Sequence, residues 1–187
     1  MKLHNLFTVG TVVLSLAAGS AFAQDEKAKK QAEIRKVTAA SLEKLYKAKP
    51  ELKGEVAKAS GYAVFTTYGF SFLLGGAGGK GVVHDNKTKK DTFMEMAQAS
   101  AGLQIGAAES ETLIIFKSAK AMQEFIDKGW EAGGGGAVQA GAAGKSVGAA
   151  GGENVIADAS YYTLTKNGLQ AGVAVAGTKF WKDKELN

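Results

Sequence analysis

The distribution of glycine is the sequence feature that most constrains the fold of this chain. Of its 187 residues 25 are glycine and one is proline, so glycine has about twice its usual share. Many of the glycines fall into two clusters, Gly75–Gly81 and Gly129–Gly152, and the others stand singly. Collagen is excluded because the glycines have no three-residue period. Since glycine lacks a Cβ, the distribution predicts a globular domain with tight turns and close backbone contacts.

The first 23 residues have the pattern of a secretory signal peptide. Lys2 precedes an apolar stretch, Leu6–Ala18, and Ala21-Phe22-Ala23 forms a small-residue cleavage site. We expect cleavage near Ala23 and a periplasmic or secreted protein. An uncleaved membrane anchor is the alternative, but the apolar stretch is short for a membrane span. The chain has no cysteine, so no bacterial lipid anchor can form at the cleavage site.

The basic residues of the chain are almost all lysine. The formal net charge is +5, and Arg35 is the only arginine. Arginine supplies the planar fork that base and buried phosphate sites favour, so we expect no nucleic-acid partner. A lysine-rich surface suits attraction to anionic lipid head groups, although positive charge also serves solubility alone.

The residue types that are missing limit the chemistry available. Without cysteine there is no thiol nucleophile, and with His84 as the only histidine after the leader there is no two-histidine zinc site. His84 precedes a turn, where a half-exposed structural residue is more typical than a general base. The spacing of Asp91, Glu95, Glu109 and Glu111 marks no catalytic pair. We therefore expect no enzyme activity, no cofactor and no metal site.

Two helices are predicted in the segment 24–59, which is charged and poor in glycine. Apolar residues recur at spacings of three and four, which predicts an amphipathic helix over Asp25–Ala48. Pro50 then precedes a short helix over Glu51–Ala59. We expect the long helix to dock on the chain's own sheet; its basic first half leaves a membrane surface as the alternative.

The segment 60–187 is predicted to be a glycine-rich β domain. Short apolar runs recur about every ten residues, which is typical of antiparallel sheets. Ser118 caps a predicted helix that ends near Lys128. The expected fold class is therefore α+β, with an antiparallel sheet closed or partly closed into a barrel or sandwich, an N-terminal amphipathic helix and one internal helix. The predicted strands are Tyr62–Thr67, Phe70–Leu74, Gly81–His84, Thr92–Met96, Ala101–Ala107, Thr112–Phe116, Val155–Thr165 and Leu169–Val175.

Three glycine motifs match known patterns by letter but fail on their context. Gly76–Gly81 fits G-x-G-x-x-G, yet a strand follows it instead of the helix that a dinucleotide site requires. Gly141–Ser146 lacks the first glycine of a P-loop. The third, Gly144–Gly152, spaces its glycines like a membrane-helix zipper but is too polar to span a bilayer. We expect the first to be a glycine-rich crossing between strands.

The order of the remaining motifs resembles the SYLF domain, a lipid-binding family, from about Leu42 to Asn187. Ser60–Phe65 is similar to its opening strand, and Ser100–Gly106 to its S-x-G-x-Q-x-G strand. Lys166–Val173 looks like its K-G-L-F-A-G-V hairpin. Gly141–Lys145 departs from the family's G-P-x-G-R. The resemblance implies a lipid-binding β domain. Eukaryotic members bind actin through an added N-terminal segment, and an exported, bacterial-looking protein offers no such partner, so we expect no actin partner.

The best local candidate for lipid contact is the lysine-rich turn formed by Lys87, Lys89 and Lys90, close before Phe93; a merely solvated turn is the alternative. Lys145, in place of the family arginine, is the second candidate. We expect a non-enzymatic periplasmic protein that binds anionic phospholipid or a membrane surface. The alternative is a structural or assembly protein of the cell envelope, which acts through self-association as a homo-oligomer or through protein partners.

Overall fold

The computed structural model describes residues 13–67, 77–98, 110–131, 158–166, 168–171 and 178–187. Within them lie three helices and eight strands. The helices are α1 (Val13–Ala48), α2 (Leu52–Lys58) and α3 (Ala119–Lys128). The strands are β1 (Gly61–Thr66), β2 (Ala77–Asp85), β3 (Asp91–Gln98), β4 (Glu111–Phe116), β5 (Trp130–Glu131), β6 (Ala159–Thr165), β7 (Gly168–Ala171) and β8 (Thr178–Lys182).

All eight strands belong to one antiparallel sheet that curls into a half-barrel. Their order across the sheet is β5-β8-β3-β2-β1-β4-β6-β7, so β1 lies near the middle with β2 and β4 on either side. The predicted α+β class with a partly closed antiparallel sheet is confirmed. None of the helices in the described part of the chain is both long and apolar enough to cross a bilayer.

The sheet is covered by helices on both faces because its strands are apolar on both. Successive side chains of a strand point to opposite faces. In β1, Ala63 and Phe65 join the core beneath α3, whereas Val64 packs with α1 and α2. Every residue of β4 is buried, as expected for a strand between two layers.

Helix α1 docks on the sheet through one stripe of residues. Ile34, Thr38, Ser41 and Leu45 are buried at the three- and four-residue spacings of one helix face. The hydroxyls of Thr38 and Ser41 donate to carbonyls one turn earlier, so these polar groups are satisfied inside the interface. The expected docking of this helix on the chain's own sheet is therefore confirmed.

The glycines at the start of β2 are strand residues and not a crossing between strands, so the prediction of a crossing was wrong. Gly79 and Gly81 pair in register with Met96 and Met94 of β3. A Cβ added at Gly79 would lie 2.6 Å from the carbonyl oxygen of Thr66, and one at Gly81 would overlap the Phe65 ring. The predicted close approach of backbones is thus present, inside the sheet itself.

The C-terminal residues form a strand and a packed tail, which the sequence patterns did not predict. Phe180, in β8, is 1% exposed and belongs to the core beneath α3. Beyond the strand, Asp183 accepts hydrogen bonds from two backbone N–H groups of the tail. The Asn187 amide donates to the Phe93 carbonyl at 2.7 Å, and Gln31 of α1 donates to the Leu186 carbonyl. The tail therefore fills the space between α1 and β3.

Other predictions agree with the structure or lie outside its described residues. Ser118 caps α3 by accepting from the Ala121 N–H at 3.2 Å, as predicted. The end of α1 at Ala48 and the short α2 after Pro50 also match, but α1 begins at Val13 and not at Asp25, so the predicted start was wrong. The predicted strands Phe70–Leu74 and Ala101–Ala107 and most of the second glycine cluster lie outside the described residues.

Candidate functional site

The lysine-rich turn between β2 and β3 has a fixed backbone. The Asp85 carboxylate accepts from the N–H groups of Lys87 (2.8 Å) and Thr88 (3.0 Å), and the Lys89 N–H donates to the Asp85 carbonyl. The hydrogen bond from the Thr88 backbone is the main cause that lowers the pKa of Asp85. Lys89 has a φ of 59°, a left-handed conformation that closes the turn. The three lysines of the turn therefore project from one hydrogen-bonded loop.

Three more exposed lysines lie at the same end of the sheet. Lys58 ends α2 just before β1 begins, and Lys117 and Lys120 follow the end of β4. The Asn86 side chain ties the turn to α2 by donating to the carbonyls of Val56 and Ala59. We call this surface the basic end; its members are Lys58, Lys87, Lys89, Lys90, Lys117 and Lys120.

The basic end has little compensating negative charge. Each of its lysines is exposed, and none forms a salt bridge within the described ranges. Asp85 is held in the turn, and Asp158 lies beside the start of α3, where it accepts from Ser118 at 3.4 Å. Asp91 is paired with Arg35. The basic end is therefore a positively charged surface that faces solvent.

Sequence reasoning found half of the basic end and missed Lys58, Lys117 and Lys120. These three lie far from the turn in the sequence, and only the strand order brings them near it. A signal was available, because an antiparallel order places the start of β1 beside the ends of β2 and β4. Each missed lysine stands within four residues of one of those strand ends.

Phe93, which the sequence placed beside the lysine turn as a candidate for lipid contact, does not contribute to the exposed surface. It is 2% exposed and packs with Ile34, Val82 and Leu186. The Arg35 guanidinium lies over its ring, 4.8 Å from the centroid. The side chain is buried because it follows Asp91 by two residues and so points to the α1 face. The second candidate, Lys145, lies outside the described residues.

A row of polar side chains crosses three strands next to the basic end. Tyr62, His84 and Asp91 are directly opposite one another on β1, β2 and β3. His84 Nδ1 lies 2.8 Å from Asp91 Oδ1, and Arg35 Nε of α1 donates to Asp91 Oδ2 at 2.6 Å. The Tyr62 and His84 rings are 5.3 Å apart. The carboxylate thus joins α1 to the sheet.

The environment of this row favours a charged Asp91 and a neutral Tyr62. Partial burial by itself would raise the pKa of Asp91, but hydrogen bonds from Arg35 and His84 outweigh it and lower the pKa. Burial, and then the charge of Asp91, raise the pKa of Tyr62. His84 is half-buried and hydrogen-bonded to Asp91. No group of three potential metal ligands occurs among the residues the structure describes.

A second charged cluster fixes the C-terminal tail. Lys80 Nζ donates to Glu95 and Asp183, both at 2.9 Å, and the Trp181 indole donates to Glu95 at 2.7 Å. Partial burial lowers the pKa of Lys80, but its hydrogen bonds to the two carboxylates outweigh that effect and raise it. Every member has a partner, so this cluster holds β2, β3 and the tail together.

Comparisons with known proteins identify relatives of this chain. A family described as "Ysc84: Las17-binding protein actin regulator" matches residues 97–187. Beta cell expansion factor A of Aeromonas veronii is 33% identical over 153 residues, which is 78% of this chain and 54% of that protein. SH3 domain-containing YSC84-like protein 1 of Rattus norvegicus and of Mus musculus is 30% identical over 138 residues, 71% of this chain and 40% of those proteins.

The chain spans about half the length of these relatives or less. Their names therefore describe larger proteins than the domain seen here. The shared sequence nevertheless extends over most of the present chain. Together with the motifs found in the sequence, these matches show that the chain belongs to the SYLF (Ysc84) domain family.

Proposed function

We propose that this chain is a non-enzymatic, exported protein that binds anionic membrane surfaces through its basic end. The observation that carries the proposal is the gathering of six exposed lysines from three separate segments at one end of the sheet, without salt bridges among the described residues. Lysine clusters attract anionic lipid head groups, and each residue near the surface contributes about 1 kcal/mol.

A binding surface is a better match to the described residues than a buried lipid pocket. One groove lined by described residues has a volume of about 220 Å³, below the roughly 300–1,000 Å³ of sites for drug-sized molecules. A two-chain phospholipid is larger than a drug-sized molecule and cannot be enclosed there. Attraction at the basic end requires no enclosure.

The leader pattern supports a proposal for the location of the protein. Residues 1–23 have the features of a signal peptide, so we propose a periplasmic or secreted location. A membrane surface that carries anionic phospholipid is then within reach of the basic end. The family description mentions actin regulation, but it describes the family, and we do not extend that partner to this chain.

The lysine turn provides the test. Lys87→Gln, Lys89→Asn and Lys90→Gln remove its charge together, and asparagine tolerates the left-handed conformation at position 89. A loss of about 3 kcal/mol corresponds to roughly 150-fold weaker binding to vesicles. The measurement is co-sedimentation with phosphatidylcholine vesicles, with and without phosphatidylglycerol, at low salt.

A matched control removes the same charge elsewhere. Lys47, Lys128 and Lys166 are exposed and lie away from the basic end, in the last turns of α1 and α3 and in the turn before β7. Their combined replacement by glutamine should change binding far less than the turn variant. If the two triple variants lost the same amount of vesicle affinity, only the net charge would matter, and this result would contradict a specific docking surface.

Two further results would also overturn the proposal. The first is wild-type protein that fails to sediment with anionic vesicles at low salt. The second is binding that does not weaken as salt screens the lysines. Lipid that co-purifies and is seen by native mass spectrometry, in the absence of vesicle binding, would instead indicate an enclosed ligand. Light scattering at several concentrations detects the homo-oligomer that a structural role requires.

A further inference from the structure

A groove lies between α1 and the sheet, next to the polar row. One face of α1 forms its outer wall, because its lining residues there are spaced by three and four. Residues of β1, β2 and β3 form its floor. Its volume is about 220 Å³. The lining residues are Arg35, Thr38, Ala39, Leu42, Tyr62, Val64, Val82, His84 and Asp91.

The register of the sheet divides the groove into a polar part and an apolar part. Tyr62 lies opposite His84, which lies opposite Asp91, so the row nearest the strand ends is polar. Two residues further along, Val64 lies opposite Val82. Leu42 and Ala39 of α1 cover this second row. The groove is therefore amphipathic along the strand direction.

Several polar atoms in the groove have no hydrogen-bond partner in the described part of the chain. Asp91 engages only the Nε of Arg35, so both terminal nitrogens of that guanidinium are available. Asp91 also forms a hydrogen bond with the Nδ1 of His84, so the Nε2 of His84 has no hydrogen-bond partner among the described residues. The Tyr62 hydroxyl forms no hydrogen bond with a described residue either, and its raised pKa keeps it protonated as a donor. The two free nitrogens of the guanidinium and the phenol suit a planar oxygen pair. The charged Asp91 carboxylate lines the same groove and offsets the charge of Arg35, so the hydrogen bonds from Arg35 and Tyr62, together with burial of the apolar body, must outweigh its repulsion of an anionic head group.

We propose that this groove binds a small amphiphilic carboxylate. The carboxylate would accept from Arg35 and Tyr62, and the apolar body would lie over Val64 and Val82. The volume exceeds the roughly 150 Å³ of a cavity that takes up benzene and stays below that of drug-sized sites. The ligand class is therefore a monocarboxylate of about the size of hexanoate or benzoate. This site is distinct from the lysines of the basic end and does not depend on the proposed function.

Isothermal titration with three probes tests both halves of the ligand. Hexanoate has both the carboxylate head group and the apolar chain, and acetate has only the carboxylate. Hexan-1-ol has the apolar chain with an uncharged hydroxyl head group. The full chain should bind hexanoate at least about ten-fold more tightly than either of the other probes. Equal affinity for hexanoate and hexan-1-ol would overturn the carboxylate assignment.

A steric variant tests the location. Ala39 lines the groove from an exposed helix position, so Ala39→Leu fills the apolar part while leucine preserves the helix. The adjacent Ala40 is exposed and does not line the groove, which makes Ala40→Leu the matched control. Ala39→Leu should abolish hexanoate binding and Ala40→Leu should leave it unchanged. Hexanoate binding that survives Ala39→Leu would place the ligand elsewhere and overturn the proposal.

A charge variant tests the head group. Arg35→Gln should weaken hexanoate binding at least about ten-fold and leave hexan-1-ol binding as it was. Lys36→Gln removes a neighbouring exposed charge that does not line the groove, and should have no effect. Because Arg35 also ties α1 to Asp91, thermal unfolding of each variant is measured alongside. If a folded Arg35→Gln protein binds hexanoate like wild type, the guanidinium has no role and the proposal fails.

Discussion

Replacing Gly81 by alanine should destabilise the fold strongly, because the backbone of β1 occupies the space that a side chain would need. A Cβ at this position would overlap both the Phe65 ring and the Val64 carbonyl oxygen, far inside ordinary van der Waals contact. Gly81 pairs with Phe65 on one side and Met94 on the other, so the strand cannot shift without breaking a ladder. Overpacking of a core costs about 1–3 kcal/mol, and this position should lie at the upper end, near 3 kcal/mol.

Gly54→Ala is the matched control, because it should raise the free energy of unfolding where Gly81→Ala lowers it. This glycine lies inside α2, and a Cβ there would meet nothing within 4 Å. Alanine in a helix is favoured over glycine by roughly 0.8–1 kcal/mol, so this variant should be stabilised by about that amount. Urea denaturation followed by circular dichroism at constant temperature gives both values. A Gly81→Ala protein within about 1 kcal/mol of wild type would refute the close approach of β1 and β2.

Three other predictions concern single contacts. Ser118→Ala removes the N-cap of α3 and should cost about 1 kcal/mol in the unfolding free energy, measured by urea denaturation. Asn86→Ala removes two hydrogen bonds to the carbonyls at the end of α2 and should cost about 1–2 kcal/mol by the same assay; an unchanged midpoint would contradict the tie between turn and helix. Partial burial by itself would raise the pKa of Asp183, but the hydrogen bonds from Lys80 and from the tail backbone outweigh it and lower the pKa. The stabilisation from Asp183 is therefore present above the unfolded pKa near 3.9 and is lost as pH falls through the folded pKa. Stability should therefore decline below about pH 4, and Asp183→Asn should be less stable at neutral pH with a shallower acid decline; an identical acid profile would contradict this.

Much of the fold could be predicted from local patterns, and the failures have physical causes. The strand runs and Ser118 were recognisable because short apolar runs bounded by turn residues and helix capping are local properties. The final strand was missed because Thr178–Lys182 is short and carries lysines. The burial of this strand depends on its pairing with β3. The position of the tail beyond it depends on contacts with α1, which lies more than 150 residues away in the sequence.

The candidate site was predictable only in part for the same reason. The lysine turn is a local feature, and its sequence identified Lys87, Lys89 and Lys90. The burial of Phe93 depends on which face of β3 meets α1, which composition does not reveal. The junction of Arg35 with Asp91 joins residues 56 apart and required both the docking of α1 and the sheet register.

The most direct test of membrane docking is to ask which end of the sheet meets the vesicle. The chain has no cysteine, so Thr88→Cys in the turn and Lys166→Cys before β7 each give one labelling site for a polarity-sensitive fluorophore. Both positions are exposed, and they lie at opposite ends of the sheet. On adding phosphatidylglycerol vesicles, the label at position 88 should shift to shorter wavelength, and the label at position 166 should not. A shift at position 166 with none at position 88 would contradict docking through the basic end.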